Sequence, residues 1–180
     1  MSSWRRVDSR CLEKCRVFDL QRVSFLRPGG AGVRDFYVVT APDWINVIPV
    51  TEDDRVILVR QYRFGIEGST LEIPGGMCDE GEPPDAAARR ELREETGYEA
   101  GDLELLGSVH PNPAIQNNRC HRFLAPGVRR VGAPDPDTDE SIEVVEVPLS
   151  EIPGLIAGGK ITHALVIAAF HHLGLSGSKS

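Results

Sequence analysis

The sequence predicts an α+β fold in a single domain, on three observations. First, 180 residues are enough for one domain with a substantial core and few for two independent ones. Second, 41% hydrophobic and 26% charged residues are typical of a folded globular chain. Third, several short apolar segments bounded by Gly, Pro and Asp indicate strands, whereas three other segments indicate helices.

Strands are predicted throughout the first half of the chain. The first dozen residues show no clear period and are left unassigned. After them, apolar positions recur in short segments that are separated by turn residues such as Arg27-Pro28-Gly29-Gly30. We interpret the earlier segments as a meander of antiparallel strands. The predicted strands are Arg16–Leu26, Asp35–Thr40, Trp44–Val50, Arg55–Tyr62 and Leu71–Pro74.

The second half combines helices with further strands. Pro84 suits a first helical position, Ala86-Ala87-Ala88 favours a helix and Gly97 suits the C-terminal cap, which predicts a helix over Pro84–Thr96. Strands are predicted at Leu103–Val109, Arg119–Leu124 and Glu143–Val147, and helices at Leu149–Ala157 and His163–Leu173. We expect residues 176–180, Ser-Gly-Ser-Lys-Ser, to form a flexible tail.

Charge and composition restrict the possible partners. The net charge of -7 gives no general attraction to nucleic acid or to an anionic membrane, so local cationic groups or bound metal must meet any phosphate. The apolar runs are too short to cross a bilayer, and no signal peptide is evident, which predicts a cytoplasmic protein. Cys11 and Cys15 lack a second cysteine pair, and free thiols are favoured over a zinc site.

An acidic patch on the first predicted helix is the main candidate for chemistry. Glu91, Glu94 and Glu95 lie three or four positions apart, so they share one helical face. Their carboxylates repel one another unless a cation neutralises them, and a hard, oxygen-binding ion such as Mg²⁺ is suitable. A solvated acidic face is the alternative, and these three residues alone favour that alternative.

The residues around this patch change the interpretation. Gly76 is followed after five residues by Glu82, and after seven more by Arg90-Glu91-Leu92, with Glu94-Glu95 and Gly97 beyond. This pattern resembles the Nudix box, with Tyr98 at a packing position that is usually aliphatic. Seven identities at fixed spacing, each with a usage near ~7%, arise by chance on the order of once per hundred million starting points. The chain is therefore similar to Nudix hydrolases.

The resemblance implies a fold and a domain organisation. The expected fold is a Nudix-type α/β/α sandwich with a mixed central sheet and an N-terminal antiparallel strand region. Residues 1–40 are expected to form that strand region and to contribute to a homodimer, while residues 41–175 form the Nudix domain.

It also implies a metal site with Mg²⁺, or alternatively Mn²⁺, as cofactor. The expected metal ligands are Glu91, Glu94, Glu95 and the backbone carbonyl of Gly75, while Glu82 supports the cluster and Arg90 orients the glutamates. Catalytic roles are expected for Arg90 and the three glutamates. Such metals screen a pyrophosphate and activate a water. A single structural metal is the alternative.

Features outside the box resemble the ADP-ribose and nucleoside-diphosphate-sugar pyrophosphatase branch. They include Arg60-Gln61-Tyr62-Arg63, Leu71–Gly76, Gly159-Lys160-Ile161 and a proline fifteen residues after Tyr98. The substrate-binding residues that this resemblance implies are Arg60, Arg63, Glu72 and Pro113.

The same branch often uses a loop glutamate as general base. The matching residue is Glu140, with Glu143 as the reserve candidate. A solvated acidic loop is an equal alternative. The amide-rich segment 110–119 is a candidate for reading a sugar or a base.

The predicted function is Mg²⁺-dependent hydrolysis of ADP-ribose or a related nucleoside diphosphate sugar to a nucleoside monophosphate and a sugar phosphate. No nucleic acid or membrane partner is expected. One alternative is a nucleoside triphosphate pyrophosphohydrolase, which releases pyrophosphate. The other is a non-catalytic nucleotide-binding Nudix domain; such domains commonly lose box glutamates, and all of them are present here.

Overall fold

A computed structural model describes residues 3–135 and 141–176 of the chain. It divides into two compact units. The N-terminal unit is Met1–Asp43 with His110–Arg119, and the larger unit is Trp44–Val109 with Cys120–Ser180. The segment 110–119, which we had placed in the second domain, therefore groups with the N-terminal strands.

The N-terminal unit contains a three-stranded antiparallel sheet. Its strands, in spatial order, are β1 (Arg5–Lys14), β2 (Asp19–Leu26) and β3 (Val33–Thr40). β1 lies in the stretch that we left unassigned. All ten of its residues are exposed, and its pairing with β2 shifts register twice, so burial does not impose an alternating pattern on its sequence.

The larger unit is built on a mixed six-stranded sheet. Its strands lie in the order β11-β5-β4-β9-β8, with β6 beside β5, and β7 pairs with β10 in a separate ribbon. The bounds are β4 (Trp44–Val50), β5 (Arg55–Arg63), β6 (Gly68–Glu72), β7 (Tyr98–Glu99), β8 (Glu104–Val109), β9 (Cys120–Pro126), β10 (Arg129–Arg130) and β11 (Ile142–Pro148).

β4 has a neighbour on each side. With β5 it pairs antiparallel, as expected, through Val50 and Val56. On its other side it pairs in parallel with β9 along its whole length, from Trp44 opposite Cys120 to Val50 opposite Pro126. The parallel pairing could not be predicted from the strand pattern, because that pattern indicates which residues are buried and not which strands pair.

Helices cover both faces of this sheet. They are α1 (Pro84–Thr96), α2 (Ile152–Ala157), which follows a 3-10 turn at Leu149–Glu151, and α3 (Ala164–Ser176). Successive strand residues point to opposite faces. One core therefore joins α1 to the side chains of Ile45, Val47 and Ile57. The other joins α2 and α3 to Ile48, Val56 and Leu58.

This arrangement confirms the α/β/α sandwich with a mixed central sheet. We call the two sides of the sheet the α1 face and the α3 face. None of the helices in the described ranges is long and apolar enough to span a membrane.

The bounds predicted for α1 are confirmed, and Gly97 ends the helix as expected. Gly97 has φ +73°, and its N–H donates to the Arg93 carbonyl over 2.8 Å. A Cβ at this position would also lie 2.4 Å from the Gly132 carbonyl oxygen. The residue is thus required both by its left-handed backbone and by a close backbone approach.

A residue with a Cβ loses roughly 1–2 kcal/mol when it adopts the left-handed conformation. We expect Gly97→Ala to lower the free energy of unfolding by more than this, because the new Cβ also clashes with the Gly132 carbonyl. Urea denaturation would measure the loss. Gly101→Ala is the control, since a Cβ there meets nothing within 4 Å and Gly101 has no positive φ. Equal losses in the two variants would contradict the prediction.

Candidate active site

The segment after β6 brings two glycines alongside β4. Ile45 N donates to the Gly76 carbonyl and Val47 N to the Pro74 carbonyl, each over 2.9 Å. In an extended segment, the N–H and C=O groups of successive residues point to opposite sides. The carbonyls of Pro74 and Gly76 point to β4, so the N–H and C=O of Gly75 point away from β4. Its N–H donates to Glu95 Oε2 at 3.0 Å.

Both glycines are needed because other groups occupy the space of a side chain. A Cβ at Gly76 would lie 2.1 Å from Glu91 Oε1. A Cβ at Gly75 would lie 2.4 Å from both Asn46 Nδ2 and the Ile45 carbonyl oxygen. The Glu91 carboxylate therefore lies directly against the Gly76 backbone, and Glu95 is held at Gly75. These contacts join the loop and α1 into one candidate site.

Arg90 is the centre of the acidic cluster and uses all five of its N–H donors. Its Nε and Nη2 bind the two oxygens of Glu82 at 3.0 and 2.9 Å. Its Nη1 donates to Glu91 Oε1 at 2.9 Å and to Glu94 Oε2 at 3.1 Å. The remaining bond joins Nη2 to the Met77 carbonyl oxygen at 3.0 Å. Arg90 therefore contacts Glu82, Glu91 and Glu94 at once, and the orienting role of Arg90 and the supporting role of Glu82 stay predictions.

These ion pairs favour the charged forms. The hydrogen bond to Glu82 raises the pKa of Arg90 above its usual value, against an opposing effect of burial, and Glu91 and Glu94 add to the increase. The same bond lowers the pKa of Glu82, together with the N–H of Asp79, which donates to Glu82 Oε2 at 2.9 Å. Glu82 is therefore ionised at neutral pH.

Arg63 and Glu72 form a second ion pair, on neighbouring strands. Arg63 Nε and Nη2 donate to the two oxygens of Glu72 at 2.8 and 2.7 Å, and Thr70 Oγ1 also donates to Glu72 Oε1. Burial raises the pKa of Glu72, but these hydrogen bonds and the charge of Arg63 outweigh it, so the pKa lies below its usual value. The Glu72 side chain is 2% exposed and that of Arg63 is 41% exposed.

Arg60, by contrast, belongs to the opposite face of β5. Alternation along β5 places Gln61 and Arg63 on the α1 face with Ile57, and Arg60 on the α3 face with Leu58. Arg60 Nε binds Glu143 Oε2 at 2.9 Å, and both residues line an open groove of about 410 Å³. The substrate-binding role of Arg60 and the reserve role of Glu143 stay predictions.

The two remaining predicted site residues are Pro113 and Glu140. Pro113 is in the segment 110–119 of the N-terminal unit, where Val39 N donates to the Ile115 carbonyl at 2.8 Å. Glu140, the candidate general base, lies outside the described residues. Their roles also stay predictions.

The structure adds two residues that we had not singled out. Thr70 binds Glu72, and spacing could have revealed it, since residues two apart on a strand share a face. His163 is close enough for Glu72 to raise its pKa and for Arg63 to lower it, although burial has the largest effect and the net pKa is lowered. No signal in the sequence could have placed His163, because it lies more than ninety residues from Glu72.

The ligand types suit a hard divalent cation, since carboxylate and carbonyl oxygens are what Mg²⁺ prefers. Glu91 and Glu94 approach one nitrogen of Arg90, and Gly76 leaves no side chain against the Glu91 carboxylate. Over residues 3–135 and 141–176, no three Asp, Glu, His or Cys side chains are grouped closely enough to enclose an ion. The residues therefore fit a metal by ligand type, while in this structure Glu91 and Glu94 bind Arg90 and Glu95 binds the Gly75 N–H.

Comparisons with known proteins give the class of this chain. The NUDIX domain profile matches residues 42–170. An ADP-ribose pyrophosphatase of Bacillus subtilis (strain 168) is 33% identical over 162 residues, covering 89% of this chain and 86% of the relative. The methanol dehydrogenase activator of Bacillus methanolicus is 34% identical over 139 residues, covering 77% and 75%.

A solved structure, described as an ADP compounds hydrolase, has a similar fold. It superposes with a TM-score of 0.84 at 23% identity and covers 98% of this chain and 96% of that chain. Together with the profile match, this likeness defines the class of the chain as a protein with the Nudix fold. The chain belongs to the Nudix hydrolase family.

Proposed function

We propose that this Nudix hydrolase cleaves the pyrophosphate of ADP-ribose or a related nucleoside diphosphate sugar and releases a nucleoside monophosphate and a sugar phosphate. The observation that carries the proposal is the complete set of box glutamates arranged on Arg90 and Gly75. Several relatives support the substrate class, including an ADP-sugar pyrophosphatase of Mus musculus, which is 35% identical over 146 residues.

The proposed cofactor is Mg²⁺, with Mn²⁺ as a substitute. Glu91, Glu94, Glu95 and the Gly75 carbonyl are the proposed ligands. The Gly75 N–H donates to Glu95. Because the N–H and C=O of one extended residue point to the same side, the Gly75 carbonyl is also directed to the side of Glu95. When bound, divalent metal supplies charge screening of the pyrophosphate and activation of a water. Arg90 and Glu82 then keep the glutamates oriented.

Arg63 is the proposed phosphate-binding cation on the α1 face. Glu72 fixes its guanidinium through two hydrogen bonds, which leaves the Nη1 edge directed away from that carboxylate. A guanidinium of fixed orientation suits two phosphate oxygens. We further propose substrate contacts by Arg60 and Pro113 and a general base at Glu140, as the family resemblance implies.

The test is turnover of a panel of nucleotides with Mg²⁺. ADP-ribose, ADP-sugars and GDP-mannose should give a nucleoside monophosphate and a sugar phosphate, and removal of divalent metal with EDTA should abolish the products. Release of pyrophosphate from nucleoside triphosphates as the main activity would instead assign a triphosphate pyrophosphohydrolase. Nucleotide binding without any turnover would assign a non-catalytic module.

We also propose a cytoplasmic homodimer with no nucleic acid or membrane partner. Two features of the N-terminal unit support the dimer. The edge strand β1 of its sheet is exposed and can pair with another strand. The unit also exposes large apolar side chains, namely Trp4, Val33, Phe36 and Tyr37. Analytical ultracentrifugation should give a mass of about twice 19.7 kDa. Arg10→Pro, in the middle of β1, should shift the equilibrium toward the monomer; a monomeric wild type would contradict the proposal.

A further inference from the structure

A buried polar cluster lies on the α3 face of the sheet, against the glycine loop. We call it the Asn46 cluster, and it consists of Asn46, Cys120, Arg122 and His172. Cys120 Sγ donates to Asn46 Oδ1 at 3.4 Å, and Arg122 Nη2 lies 3.4 Å from His172 Nε2. Asn46 and Arg122 are directly opposite each other on the parallel strands β4 and β9.

Stability does not explain this cluster. Arg122 is fully buried, and in the described part of the chain its Nε and Nη1 have no hydrogen-bond partner. Burial accordingly lowers the pKa of Arg122, and the only opposing influence is that of Cys120. A buried polar group of this kind is unfavourable compared with an apolar side chain of similar size. We therefore expect the Asn46 cluster to have a function other than filling the core.

Asn46 links the cluster to the glycine loop. Its side chain is 8% exposed, and its Nδ2 occupies the space that a Cβ at Gly75 would need, 2.4 Å away. Ile45 and Val47, on either side of it in β4, hold the carbonyls of Gly76 and Pro74. Gly75 is therefore enclosed on the α3 face by one amide side chain, which is itself tied to Cys120.

The other side of Gly75 faces the acidic site. Its N–H donates to Glu95 Oε2 at 3.0 Å, so the position of the Gly75 backbone determines where this carboxylate is held. We propose that Asn46 is a positioning residue that supports Gly75 from behind and thereby fixes Glu95 and the Gly75 carbonyl for metal binding. The inference rests on the proposed function, since it assigns those two groups to the metal. Asn46 itself touches neither metal nor substrate.

The test is Mn²⁺ affinity of the full-length protein without substrate, measured by electron paramagnetic resonance of free Mn²⁺. Asn46→Ala should weaken binding about tenfold, the scale of an outer-shell contact to a metal ligand. Asn46→Thr, which keeps a hydrogen-bonding oxygen and part of the side-chain volume against Gly75, should lose less affinity than Asn46→Ala. Asn46→Ser takes the place of the alanine variant if that variant does not fold.

Asn118→Ala is the matched control. Asn118 is also buried, and its Nδ2 donates to the Pro42 carbonyl at 3.1 Å in the N-terminal unit. The Asn118→Ala variant should be less stable than the wild type but should bind Mn²⁺ with the same affinity. An unchanged affinity in Asn46→Ala, or an equal loss in Asn118→Ala, would overturn the positioning role alone. A wild type that does not bind Mn²⁺ would overturn the metal site of the proposed function as well.

Discussion

Replacing Glu94 with Gln should lower turnover by about a hundredfold and leave the protein folded. Glu94 is 44% exposed on its side chain, and a glutamine oxygen can still accept the hydrogen bond from Arg90 Nη1. The substitution therefore keeps the shape of the cluster but removes one negative charge where a divalent cation is proposed to bind. Steady-state kinetics on the best substrate of the panel, with thermal denaturation alongside, would measure both effects.

The control makes the same change in a surface ion pair. Glu52 binds Arg129 Nη2 at 2.6 Å, and both side chains are largely exposed. Such pairs contribute little to stability, so Glu52→Gln should behave as the wild type in both measurements. If Glu94→Gln retained full turnover with Mg²⁺, the acidic face of α1 would be a solvated surface and not a metal site.

Replacing Arg63 with Ala should lower the free energy of unfolding by about 2–3 kcal/mol at neutral pH. The buried Glu72 carboxylate then loses its two charge-assisted hydrogen bonds. Removing one partner of a fully buried pair costs about 3–5 kcal/mol, and the partial exposure of Arg63 reduces that figure. Urea denaturation would measure it.

The same variant has a defined pH dependence. Arg63 and Thr70 hold the pKa of Glu72 below its usual value. The Arg63–Glu72 ion pair therefore stabilises the folded wild type at pH values above about 4.3, the pKa of a glutamate in the unfolded chain. This stabilisation is lost as the pH falls through the lower pKa that Glu72 has in the folded protein. Without Arg63, burial raises the pKa of Glu72. The difference in unfolding free energy between wild type and variant should therefore shrink between pH 7 and pH 3.

A double variant separates stability from substrate binding. Adding Glu72→Gln to Arg63→Ala removes the unpaired charge, so it should recover part of the lost stability. It should not recover KM, since the proposed phosphate contact is still absent. A KM equal to that of the wild type in the single variant would contradict the contact, and recovery of KM in the double variant would show that Arg63 acts only through the fold.

Several elements followed from local patterns because their physical causes are local. The bounds of α1 were predicted to the residue, since Pro84 and Gly97 act on the backbone at their own positions. The strands from Trp44 to Arg63 followed from short apolar runs bounded by turn residues, and these runs are buried on both faces of the sheet. β1 did not, because nothing buries one of its faces and two register shifts interrupt its alternation.

In the candidate site, too, some residues could be predicted from the sequence and others only from the tertiary structure. Fixed spacing identified Arg90 and the glutamates of α1, because consecutive turns of one helix determine which side chains meet, and the family pattern added Glu82 in the preceding loop. Spacing places Arg60 and Arg63, three residues apart on one strand, on opposite faces, but it does not show which of them shares a face with α1. Only the positions of α1 and α3 on opposite sides of the sheet show that Arg63 shares the face of α1.

The sequence by itself determined the family resemblance, the helix that carries the acidic residues and the types of ligand available there, since these depend on residues close together along the chain. Only the tertiary structure decided that β4 pairs with β9, that Glu72 binds Arg63 and that Asn46 lies behind Gly75. Those contacts join residues far apart in sequence, and their formation depends on how the sheet assembles as a whole.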